Sequence, residues 1–171
     1  MTKIIPDNPC SLNPEKKTNS KALPGFLHSP VALIRLSSIL FFILTIGHTS
    51  GYPWTTDRDF REKQLVASMK SVDLVFAGEH SSYWSLYFGW GLYVAVLLLT
   101  LAIILWLLSN VARIAPRPVG IMIQIIAACC LAGAYLSFRF FYMPPFLLLA
   151  VIFVILQAAA VRLIRLNSSF T

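Results

Sequence analysis

Charge is the scarcest property of this chain. Of its 171 residues, 12% are charged and 57% are apolar. Soluble domains carry about 25% charged and about 45–50% apolar residues. A soluble fold of this length lacks the interior to hide so much apolar surface. That excludes an ordinary cytosolic enzyme, a disordered chain and a soluble nucleic-acid binder. Cysteine is also sparse: three residues are too few for a disulfide-dense secreted scaffold. Acidic residues number seven, and none falls in a long apolar run, which argues against a proton-driven carrier or a carboxylate-lined cation path. Enzyme signatures are missing too: there is no G-x-S-x-G, no H-E-x-x-H, no glycine-rich phosphate loop and no pair of carboxylates within a span.

What is present is a set of four apolar runs. The expected fold class is an all-α membrane protein, an antiparallel four-helix transmembrane bundle. Its spans are expected at about 30–48, 84–108, 119–138 and 144–163, each long enough or nearly so to cross about 30 Å of hydrocarbon. Ser29 followed by Pro30 suits a helix start. Residues 1–29 are basic and proline-rich and read as a largely disordered tail, with Cys10 lacking any nearby partner in sequence; residues 166–171 form a second short tail. A cleaved signal peptide fits the first run poorly, because the polar stretch before it is too long. The turns at 110–118 and 139–143 are short, which forces antiparallel neighbours.

Four spans place both termini on one side. Nine Lys and Arg residues fall on that side, among them Arg35, Arg113, Arg117, Arg162 and Arg165, and five fall on the other, Arg58, Arg61, Lys63, Lys70 and Arg139. The positive-inside rule then puts both termini in the cytoplasm. The net charge of +7 is concentrated on that inner face, where it suits anionic lipid headgroups better than nucleic acid.

One connection is long, the outer loop 49–83. Thr56 and Asp59 resemble a helix-start signal. Leu65, Met69, Val72 and Phe76 recur at helical spacing, with Gly78 able to end the helix. The expectation is an amphipathic outer helix between spans one and two. Rings and imidazoles flank it: His48, Tyr52 and Trp54 before, then His80, Tyr83, Trp84, Tyr87 and Trp90 after. An interfacial aromatic belt accounts for them. The sharper reading is a ligand pocket at the outer end of the bundle, lined by those eight residues. Gly89 and Gly91 would either allow close helix packing or make room beside Trp90.

The segments Gly47-His48-Thr49-Ser50-Gly51, Met69-Lys70-Ser71-Val72 and Ser82-Tyr83-Trp84, with Tyr87, Gly89, Gly91 and Leu92, resemble a family of small bacterial four-span membrane proteins. Its members carry a G-H-T-x-G turn after the first span, an M-K/R-x-V segment, and S-Y-x-x-x-Y-x-G-x-G-L leading into the second. The likeness runs from about Ile34 to Leu108; the last two spans match only in being apolar, and the N-terminal tail is longer than the family's. It implies the four-span layout and the inner, cytoplasmic membrane of a bacterium. It brings no mechanism.

Three further groups bear on function. His48 and His80 are the metal candidates, with Glu79 as a third donor, for a metal ion or haem. They show no close ligand spacing, and no cofactor is expected. Arg35, Gln124 and Gln157 lie about 8–10 Å from the cytoplasmic ends of three different spans, as a snorkelling cation and interhelical hydrogen-bonders or as one polar pocket. Cys129 and Cys130 sit mid-span among small residues, where Ala128/Ala132 and Cys129/Gly133 suit helix packing. The expected function is noncatalytic: an accessory subunit of a membrane assembly or a bundle that binds lipid or another apolar ligand. Its partners would be membrane lipids, other membrane subunits or a second copy, and no nucleic acid. The alternative is a redox or metal- or haem-dependent membrane enzyme using His48 and His80.

Overall fold

The computed structural model describes residues 29–51 and 59–168, with side chains described as far as Arg165. Residues 1–28 of the expected first tail, with Cys10, and Tyr52, Trp54 and Thr56 lie outside the described residues; of the expected second tail, 166–168 instead continue the last helix. The described chain is mostly helical: α1 (Pro30–Gly51), α2 (Phe60–Ser71), a hairpin of β1 (Asp73–Phe76) and β2 (Glu79–Ser82), then α3 (Tyr83–Val111), α4 (Pro116–Phe140) and α5 (Met143–Ser168). Among the described residues, α1, α3, α4 and α5 are long and apolar enough to cross a membrane. At 1.5 Å per residue, α1 spans about 33 Å and α3 about 43 Å, so α3 outreaches a hydrocarbon core of about 30 Å.

Proline sets two of the starts. Pro30 opens α1, and the Leu33 N–H donates to the Ser29 carbonyl at 3.2 Å. Pro116 opens α4, where the missing N–H costs nothing. Gly47–Gly51, expected as a turn, instead continues α1 by one more turn. The hydroxyls near that end are satisfied within the helix: Thr45 donates to the Phe41 carbonyl at 2.9 Å, and Thr49 to the Thr45 carbonyl at 2.8 Å.

α1 packs against α3 and α5, and α4 packs against α5; α3 and α4, although consecutive, meet only sparsely. Hydrogen bonds from Arg35, Ser38 and His48 of α1 reach Ser109, Ala102 and Gly91 of α3, so these two helices run in opposite directions. Gly120 of α4 lies on Ala160, Leu163 and Ile164 of α5, while Gly133 lies on Leu149, which sets the same opposite order. The core is aliphatic around one phenylalanine ring, with Ile34 and Phe41 of α1, Leu105 of α3, Ile123 of α4, and Ile152 and Leu156 of α5 all buried.

The small residues of α4 pack one position away from the expected pairs. Gly120, Ala127, Cys130 and Ala134 are buried against the core, while Ala128, Cys129 and Ala132 are exposed. With Val119, Ile123 and Ser137, the buried set recurs every three or four residues, the seam of two closely packed helices.

Two adjacent serines of α1 have opposite fates. Ser38 is buried and donates to the Ala102 carbonyl at 2.6 Å. Ser37 is fully buried and its hydroxyl has no partner. An unmade buried hydrogen bond costs, and a made one stabilises, by about 1 kcal/mol each. Ser37→Ala is therefore expected to raise thermal stability in detergent and Ser38→Ala to lower it, the two melts moving in opposite directions.

The outer segment departs most from expectation. The helix stops at Ser71, and Val72 and Phe76 are not part of it. Asp59, not Thr56, holds the N-cap position, with extended backbone and no side-chain cap bond. The strands pair Phe76 with Glu79 across a two-residue turn, Ala77-Gly78, in which both residues have positive φ, 53° and 86°. That is the turn type whose twist matches a hairpin, and Gly78 supplies it without a steric penalty. Gly78 thus turns a hairpin and does not end a helix. The partly covered residues of α2 are Glu62, Val66 and Met69, while Leu65 is 60% exposed.

Candidate functional site

At one end of the molecule, α1, α2 and the hairpin gather around the start of α3. Ser82 caps α3: its hydroxyl oxygen accepts from the Ser85 N–H at 3.2 Å. Lys70, at the end of α2, lies 5.3 Å over the Trp84 ring, a cation–π contact that seats α2 on α3. Trp84 also meets Tyr87 and Phe88, with ring centroids 5.9 and 6.3 Å apart. Tyr83, Tyr87 and Trp90 are largely exposed. Trp90 stands edge-on to Tyr93 at 6.0 Å. A Cβ built on Gly89 would meet nothing within 4 Å. Gly89 therefore does not serve close helix packing. It leaves an open depression of about 340 Å³ along α3, lined by Ser85, Leu86, Gly89, Trp90 and Tyr93.

The two metal candidates sit apart. The Nε2 atom of His48 lies 3.1 Å from the Gly91 carbonyl, joining the end of α1 to α3 two turns below its start. His80 is exposed on β2, opposite Val75 in the hairpin. Among the described residues, no group of three or more His, Cys, Asp or Glu side chains is placed to hold a metal ion. His48 serves instead as a helix-to-helix tie.

The opposite end has a different character. Arg35 Nε donates to Ser109 Oγ at 3.2 Å, and its Nη2 to Asn110 Oδ1 at 3.1 Å. Its guanidinium carbon lies 5.4 Å over the Trp106 ring. Ser109 in turn donates to the Trp106 carbonyl at 2.6 Å. Arg35 is thus fixed by α3, more tightly than a side chain that merely reaches for the surface. Gln124 is exposed on α4 and Gln157 is half-buried on α5. Neither hydrogen-bonds to Arg35, so the three polar residues share a level without forming one pocket.

Beside Arg35, an apolar groove of about 310 Å³ runs between α1 and α3, lined by Ser38, Ile39, Phe42, Leu99, Ala102, Ile103 and Trp106. Sequence reasoning missed this groove, Ser109 and Asn110. The signal was there in small residues: the Ser38–Ala102 contact draws the helices together at the groove floor, while the larger side chains around it stand up as walls.

No protein-family model, curated protein or solved structure matches this chain. The motifs shared with small bacterial four-span proteins therefore stay a resemblance, and the functional reading rests on the residues themselves.

Proposed function

We propose that this chain is a noncatalytic integral membrane protein, an antiparallel bundle of four spans, that binds an apolar partner along α3: a lipid, or a neighbouring membrane subunit to which it is accessory. The carrying observation is the exposure of α3. Only 11% of its most apolar stretch is buried, against 33% for α1 and α4. Both grooves open on it. Exposed aromatic side chains, Trp90, Tyr93 and Trp106, stand along its length, the residue types that anchor interfaces. We place both termini in the cytoplasm, on the strength of the arginine excess at that end of the helices, and the chain in a bacterial inner membrane, as the motif resemblance implies. α2 would lie on the outer surface, held over α3 by Lys70 and Trp84.

Native mass spectrometry after gentle extraction tests this. A larger complex makes the chain an accessory subunit; a single chain with one or more lipid masses makes it a lipid binder. The His48→Ala, His80→Ala double variant is expected to keep those adducts or subunits, losing about 1 kcal/mol of stability with the His48–Gly91 tie. A stoichiometric metal or visible chromophore, lost in that variant, would replace this reading with the redox-enzyme one.

A further inference from the structure

The helix pairings bring the start of α1, the ends of α3 and α5 and the start of α4 to one end of the molecule. That end carries Arg35, Arg113, Arg117, Arg162 and Arg165 and, among the described residues, no acidic side chain. The other end is balanced: Arg61, Lys63, Lys70 and Arg139 face Asp59, Glu62, Asp73 and Glu79. The arginine-rich end is therefore the one where an anionic group is attracted, and Arg35 marks a defined point on it.

Arg35 has five N–H donors. Two are used by Ser109 and Asn110, and among the described residues no carboxylate pairs with it. The remaining donors and the full charge stay available on an exposed side chain. The contacts it does make fix the guanidinium over Trp106, and Trp106 is a wall of the α1/α3 groove. From Arg35 the groove follows one face of α1 through Ile39 to Phe42, and one face of α3 back from Trp106 through Ile103 to Leu99. The seven residue-to-residue steps from Leu99 to Trp106 give it a length of about 10 Å along the membrane normal. A held cation at the mouth of an apolar, membrane-facing groove matches one molecule above others: a phospholipid, with its phosphate at the surface and its chain in the hydrocarbon.

We propose that the α1/α3 groove seats an anionic phospholipid, its phosphate on Arg35 and one acyl chain along Ile39, Phe42, Leu99 and Ile103. The proposal rests on the lipid-binding branch of the function above and names the lipid class and the residues. Arg35 supplies the preference for negative charge, and the groove supplies retention of the chain. The Ser38–Ala102 contact holds the two walls at a fixed spacing, so the seat exists before the lipid arrives and little ordering is needed to fill it.

The test is competitive retention by the full chain. The protein is placed in bilayers of equal parts phosphatidylglycerol and phosphatidylcholine, released from them, and its adducts counted by native mass spectrometry. We expect one phosphatidylglycerol held in preference to phosphatidylcholine. Arg35→Gln is expected to reduce that preference about tenfold, the value of a charge-assisted hydrogen bond, and Arg35→Lys to restore part of it. Ile39→Trp fills the groove, leaves Arg35 in place, and is expected to reduce retention of both lipids; it guards against a folding defect in Arg35→Gln. Equal retention of the two lipids by the wild type, or unchanged adducts in both Arg35→Gln and Ile39→Trp, overturns this site. In the second case the surviving adducts show that lipid binding itself stands elsewhere on the chain. A wild type that releases every lipid overturns both the site and the lipid-binding reading.

Discussion

Gly120→Leu is expected to force α4 away from α5 and to lower stability by about 2–3 kcal/mol, the cost of overfilling a packed interface. A Cβ at Gly120 would lie 3.0 Å from Ile164 Cγ1, 3.5 Å from Leu163 Cβ and 3.6 Å from the Ala160 carbonyl oxygen. The Ile164 atom can rotate away. The other two are main-chain or next to it and move only with the helix. Hydrophobic attraction does not drive helix association in lipid, so close van der Waals contact carries much of it, and a separated pair has little to replace it. Gly89→Leu is the control, since nothing lies within 4 Å of its added carbon. Thermal unfolding in detergent, followed by circular dichroism, should show Gly120→Leu well below the wild type and Gly89→Leu level with it. Equal melts would mean that α4 and α5 are not held by this contact.

Phe41→Ala is expected to cost about 2–4 kcal/mol, toward the lower part of the range for buried phenylalanine. Phe41 is 1% exposed and belongs to the core formed by α1, α3, α4 and α5. Lipid chains are as apolar as the ring, so much of the transfer energy lost in a soluble core is not lost here. The cavity and its missing dispersion contacts remain. Phe42, its neighbour, is half exposed on the groove, and Phe42→Ala should cost far less. A Phe41→Ala melt no lower than that of Phe42→Ala would show that α1 is not the central helix that its contacts with α3 and α5 describe.

The apolar runs alone determined the four helices that are long and apolar enough to cross a membrane. Their length and near-absence of charge are sufficient, because hydrocarbon forces a backbone to satisfy its hydrogen bonds internally. Pro30 marked the start of α1, while Pro116 opens α4 three residues before the start expected at 119. Local signals were weaker in the outer loop, which is polar and short of apolar pattern. There the spacing of Leu65 and Met69 falls within α2, while Val72 and Phe76, which continue the same spacing, lie beyond its end. Ala77-Gly78, read only as a helix stop, was also the turn that makes β1 and β2 a hairpin. Gly47–Gly51 misled in the other direction, because glycine suggests a turn while the helix runs on through it, the Thr45 and Thr49 hydroxyls satisfied by carbonyls one turn back along α1.

Which helices touch was decided only in three dimensions. Sequence order suggested α3 and α4 as packed neighbours through their short turn, yet each packs on a different partner. Apolar residues surround every span, and lipid accepts all of them, so hydropathy carries no mark of the face that meets protein. That face is chosen by fit: Gly120 against Ala160, Ser38 against Ala102, His48 against Gly91. The same choice set the polar residues apart. Arg35, Gln124 and Gln157 share a depth because depth is fixed by position along the chain. Arg35 alone gained partners from α3, because rotation about the helix axes is fixed by packing.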